Sequence, residues 1–152
     1  MGIDEKRTAG REGTQMVPQS VKGEPGLMLV DTTWGMIQQI QIAEGVLTVG
    51  ELEVNGYLDQ GLPIIDSRTA DFYEVSTISG AKNIPHNEAV ERIDELDRDH
   101  PTIFFCNGPQ CTQSPSAIRD LLTAGYRAEK ILYYRGGMHD WVTLGLPVIK
   151  GK

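Results

Sequence analysis

Cysteine is scarce in this chain: Cys106 and Cys111 are the only two among 152 residues. One pair makes no disulfide framework, and with three scattered histidines (His86, His100 and His139) it matches no zinc-binding spacing, so no metal is expected. Positive charge is short as well, with 14 Lys and Arg against 21 Asp and Glu, a net charge of −7. That balance excludes nucleic acid and anionic membrane surfaces as natural partners. No apolar run approaches the roughly 18 residues a membrane span needs. The N-terminal run MGIDEKRTAGREGTQ lacks the apolar core of an export leader. A cytoplasmic location is therefore expected, with an exported form left open if a leader has been removed. Internal repeats and low-complexity tracts are also missing. What is present, 39% apolar residues in a chain of this length, suits one globular domain with some additional sequence.

The additional sequence lies at the front. Residues 1–26 are rich in Gly, Lys, Glu and Gln with Pro18 and Pro25, and are expected to form a flexible tail. Residues 27–45 read as an appended segment packing on the main domain, with a brief helix over 32–42 that puts Trp34 and Ile37 on one face. The main domain spans 46–150. Thr48-Val49-Gly50-Glu51 has the pattern of a capping box, predicting a helix to about Asp59 that Gly61 and Pro63 end. LPIID (62–66), TIFFC (102–106) and KILYY (130–134) are short apolar runs of the kind buried on both faces of a sheet. Helices are predicted over 69–75, over 87–99 with Ala89, Ile93 and Leu96 on one side, from the Ser114-Pro115 start to Gly125, and over 138–145. Strands alternating with helices imply an α/β domain with a largely parallel central sheet flanked by helices.

Sites in such sheets form at the carboxyl ends of strands, where Cys106 falls. The segment from Cys106 to Ser114 must turn tightly into a helix, so its N–H groups and the helix dipole can converge on an anion. A thiol held there would ionise more readily than the ordinary 8.5 or so, which makes it a nucleophile. The plainer alternative, a buried strand-end cysteine serving as a small hydrophobe, stands beside it.

Three ordered segments carry a resemblance. LPIIDSRTADFYEVSTISGAKNIPH resembles the rhodanese motif of Asp-x-Arg followed by a Gly-His-Ile-x-Gly-Ala-x-Asn-Ile-Pro segment, matching at Asp66, Arg68, Ile78, Gly80, Ala81, Asn83, Ile84 and Pro85, with Ser76-Thr77 in place of the Gly-His pair. YYRGGMHDWVTLGLPV resembles the same family's C-terminal signature at Gly136, Gly137, Trp141, Gly145, Leu146, Pro147 and Val148. The strand ending in Cys106 and the helix ending in AGY lie between them, where the family has its active-site loop. The resemblance, over about residues 46–149, implies a rhodanese-like fold and transfer of sulfane sulfur through a persulfide on Cys106, with no cofactor. Its partners would be a small sulfur-donor anion such as thiosulfate and a thiol or cyanide acceptor, a protein acceptor included.

Departures from the family pattern matter. The basic residue common five positions after the cysteine is Cys111 here, and the arginine that a related phosphatase branch carries one position later is Thr112. Asn107, Gly108, Gln110, Cys111 and Thr112 are the candidate substrate-binding residues of the loop, and Arg135 is the best remaining cation for an anionic donor. Asp66 and Arg68 are expected to pair structurally beside the loop. His86 and His139 read as surface residues and Trp141 as core. A second functional class stays open: a redox-sensing or partner-binding module in which Cys106 and Cys111 alternate between dithiol and disulfide.

Overall fold

Apolar runs too short for helices become strands because both of their faces are covered. In the computed structural model, which describes residues 19–20, 23–25, 28–29 and 36–152, the strands are β1 (Gln19–Ser20), β2 (Met28–Leu29), β3 (Leu47–Thr48), β4 (Ile64–Asp66), β5 (Thr77–Ile78), β6 (Lys82–Asn83), β7 (Thr102–Phe105), β8 (Ile131–Tyr133) and β9 (Val148–Ile149). The α-helices are α1 (Glu51–Gln60), α2 (Ala70–Val75), α3 (Gln113–Thr123) and α4 (Gly137–Thr143). Five strands form one parallel sheet in the order β3-β8-β7-β4-β6, so β7 runs through its middle. This is the α/β architecture the alternation of strands and helices predicts. β5 and β9 make a separate antiparallel pair, which ties the end of the chain to its middle.

The period-two alternation of strand side chains divides the core in two. On one face Ile65, Phe104, Ile131 and Tyr133 pack with Ala117, Ile118 and Leu121 of α3. On the other, Ile64, Ile103 and Phe105 pack with Val54 of α1 and with Met138 and Trp141 of α4. Each large side chain sealed in this way contributes about 1.5–3 kcal/mol relative to exposure. Ile42 and Val46, just ahead of β3, are buried in the first of these clusters.

Several local expectations are corrected. Helix α1 is capped two residues later than the Thr-x-x-Glu pattern suggests: Gly50 is its N-cap, and its N–H donates to Glu53 Oε1 at 3.1 Å. Thr48 belongs to β3 instead, because Thr48 and Tyr133 pair across the sheet edge. The helix expected over 87–99 is a pair of 3₁₀ turns, His86–Glu88 and Ile93–Glu95. Four carboxylates (Asp94, Glu95, Asp97 and Asp99) crowd what would be its negative end, and Asp97 Oδ1 instead accepts the N–H groups of Asp99 and His100. Helix α3 opens at Gln113, with Thr112 as N-cap and Ser114-Pro115 inside its first turn. Residues 36–42 are irregular rather than helical, and Ile37 is exposed; Trp34 and most of the tail over 1–26 lie outside the described residues.

Candidate active site

Parallel strands deliver their carboxyl ends side by side, so three segments distant in sequence meet beyond β4, β7 and β8. The Ser67 N–H donates to Phe105 O at 2.9 Å, and the Tyr134 N–H to Phe104 O at 2.9 Å. The 106–111 loop is fastened from above by α4: Met138 N–H donates to Cys106 O at 3.0 Å and His139 N–H to Asn107 O at 2.8 Å. A turn closed by Cys111 N–H on Gly108 O, at 3.0 Å, folds the second cysteine back towards the first. Gly137 has φ +57°, and a side chain there would lie 2.3 Å from Cys106 O, so only glycine lets α4 approach the loop this closely.

Cys106 is buried at 1% exposure, and both cysteines are free thiols. The Ser114 N–H, from the first turn of α3, donates to Cys106 Sγ at 3.3 Å. Cys106 Sγ also lies 3.7 Å from Cys111 O, within reach of an S–H donation, and the two thiols hydrogen-bond to one another. The expected cradle is thus rearranged. Amides of the loop do not gather on Cys106; the Asn107 and Gln113 N–H groups serve Cys111.

Acidity follows that arrangement, and it reverses the expectation for Cys106. Burial pushes the Cys106 thiol well up, with Cys111 adding to the rise. Cys111, half-buried, is lowered to about 7, first by the hydrogen bond from Cys106, then by the Gln113 and Asn107 N–H groups and the Arg68 charge. The two sulfurs form one coupled acid whose first negative charge rests on Cys111.

Beneath the loop, Asp66 and Arg68 form a fully buried pair, with Arg68 Nη2 2.7 Å and Nε 3.0 Å from the two carboxylate oxygens. The same carboxylate accepts Thr77 Oγ1–H at 2.8 Å and the Arg68 N–H at 3.0 Å. Arg68 Nη1 continues to Asn107 Oδ1 at 3.3 Å, and Asn83 Nδ2 donates to the Asp66 and Arg68 carbonyls at 3.0 and 2.8 Å. A buried charge satisfied on this many sides keeps its geometry, which steadies the start of the loop.

The other candidates divide. Asn107 and Gly108 are buried in the loop, Gln110 is half-buried and Thr112 is exposed at the start of α3. Arg135 Nε donates to Gln38 O at 2.8 Å, while the Gln38 N–H donates to Pro109 O at 2.7 Å. One residue of the N-terminal segment therefore bridges Arg135 and the loop, a contact with no sequence signal. His86 is half-buried, its N–H on Ser67 O at 2.8 Å. His139, expected at the surface, instead packs against the loop: a Cβ on Gly108 would come within 2.8 Å of its own Cβ. Trp141 is fully buried, as its core reading requires.

Comparison with known proteins agrees with this geometry. The profile of the Rhodanese-like domain family matches residues 52–144. A thiosulfate sulfurtransferase from Pseudomonas aeruginosa superposes with a TM-score of 0.58 at 29% identity, over 70% of this chain and 21% of that one. A rhodanese-related protein from Thermoplasma volcanium gives 0.56 at 22% identity, covering 67% of this chain and 96% of its own. Among curated proteins, the HTH-type transcriptional regulator Rv0324 of Mycobacterium tuberculosis is 34% identical over 88 residues. That match takes in 58% of this chain but only 38% of the regulator's length.

Proposed function

The chain belongs to the rhodanese-like domain family, and from that premise we propose that it is a sulfurtransferase working through Cys106. The observation that carries this reading is the hydrogen-bonded thiol pair at the end of the central strand, with a helix N–H on Cys106 Sγ at 3.3 Å. The Cys111 thiolate takes the Cys106 proton, and Cys106 then attacks the outer sulfur of a donor such as thiosulfate. The sulfur–sulfur bond of the donor breaks, sulfite leaves with the electron pair, and Cys106 carries the sulfane sulfur as a persulfide. Ser114 offers this anion its N–H. A thiol or cyanide then accepts the sulfur. Asn107 and Gly108 shape the loop floor, Gln110 and Thr112 line its open side, and Arg135 attracts the donor.

The test is thiosulfate treatment of the reduced protein and of both single cysteine-to-serine variants, followed by sulfite assay and peptide mass mapping. Cys111→Ser is expected to gain one sulfur atom on the peptide bearing Cys106, and Cys106→Ser to release no sulfite. Sulfur retained on Cys111 in the Cys106→Ser protein, with turnover, would overturn the assignment. A second reading, a sulfur- or redox-sensing module, draws support from the thiol pair and from the relative described as a transcriptional regulator. It predicts reversible dithiol oxidation without turnover.

A further inference from the structure

In the resting loop the Cys111 and Cys106 thiols are neighbours that interact directly. Cys106 Sγ is 3.7 Å from the Cys111 carbonyl oxygen, and the turn closed by Cys111 N–H on Gly108 O holds the two residues together. Gln113 Oε1, 3.6 Å from Cys111 Sγ, orients that thiol from the helix side. A cation at this point of the loop could only hold an anionic persulfide; a thiol can reduce it.

We propose that Cys111 is a resolving thiol that attacks the inner sulfur of the Cys106 persulfide, closes a Cys106–Cys111 disulfide and expels the sulfane sulfur as hydrosulfide. This rests on the sulfurtransferase reading of Cys106. The Cys111 Sγ–Cys106 Sγ bond forms while the bond from Cys106 Sγ to the sulfane sulfur breaks. The electron pair goes to the departing sulfur, and so does the Cys111 proton, the same one Cys106 gave up when it attacked the donor. The two cysteines are oxidised by two electrons and the sulfane sulfur is reduced by two. An external dithiol then reduces the disulfide and is itself oxidised, which resets the pair.

The proximity of the two thiols makes the step intramolecular, so it competes well with a diffusing acceptor. The Arg68 charge and the Asn107 and Gln113 N–H groups that favour a Cys111 thiolate favour the attacking form. The product of the domain is then hydrosulfide rather than a thiocyanate or an acceptor persulfide, and its natural co-substrate is a dithiol.

The experiment uses the full chain, reduced and freed of reductant, then given thiosulfate with no acceptor. Sulfite, hydrosulfide and the acid-quenched intact mass are measured. Wild type is expected to release about one equivalent each of sulfite and hydrosulfide and to end lighter by two hydrogens, with Cys106 and Cys111 joined within the peptide that carries both. Cys111→Ser should hold the extra sulfur and release less than about a tenth of the wild-type hydrosulfide. If wild type releases sulfite but stays heavier by one sulfur, with no hydrosulfide, the resolving role fails while the sulfurtransferase reading survives. If neither protein releases sulfite or gains sulfur, both fall. Hydrosulfide from Cys111→Ser at the wild-type level also overturns the role of Cys111.

Discussion

Two thiols in hydrogen-bond contact resist carrying charge together, so the pair ionises in two steps. The first charge settles on Cys111, which is half-exposed and lowered to about 7, and the second is opposed by the burial of Cys106. Only the ionised pair is reactive, so sulfite release from thiosulfate should be slow below pH 7 and rise with pH through about 7. Cys111→Ser should move that midpoint upward, since Cys106 would have to ionise alone in its buried place. Initial rates of sulfite release across pH for the two proteins check this; coincident profiles would mean that Cys111 takes no proton from Cys106. The two cysteines and their spacing are plain in the sequence. Their relative acidity is not, because it depends on Arg68 and on which N–H groups turn towards which sulfur.

At the scale of elements, the start of α3 is the decisive piece. Ser114 occupies its first turn, where backbone N–H groups have no helical partner, so the Ser114 N–H can be spent on the Cys106 sulfur. Ser114→Pro removes that donor while leaving a residue that helices tolerate in their first turn. Helicity should persist, and sulfite release should fall about tenfold, the equivalent of about 1.4 kcal/mol. Ser114→Ala keeps the N–H and should retain most of the rate. Circular dichroism with the sulfite assay distinguishes the two, and equal rates in both variants would dismiss the N–H contact. The helix itself is legible from Ser114-Pro115 and Gly125, while its first residue is not, because Ser114 is drawn inside by its bond to a sulfur eight residues earlier. The 87–99 segment misleads for the opposite reason: its apolar spacing is helical, but Asp97 competes for the backbone.

Across the whole molecule, the end of the chain closes the second core. Trp141 Nε1–H donates to Pro147 O at 2.7 Å, β9 pairs with β5, and the Gly151 N–H donates to Tyr73 O at 3.1 Å. Removing residues 146–152 would leave a buried indole N–H unpaired, at a cost of about 1–3 kcal/mol, and would free β5. The melting temperature should drop by about 5–10 °C, as followed by tryptophan fluorescence; an unchanged transition would mean that this strand pair does not support the core. The sequence by itself determined the alternation of strands and helices, the parallel sheet, the family motifs and the placing of both cysteines between a buried strand and a helix. Those signals act over a few residues through burial, turns and capping. Only the tertiary structure decided that Arg68 meets Asn107 across 39 residues, that Gly137 presses on Cys106 and that Gln38 spans Arg135 and the loop. Electrostatics and close packing join residues that the chain keeps apart, so the more acidic thiol emerges only once the strands lie side by side.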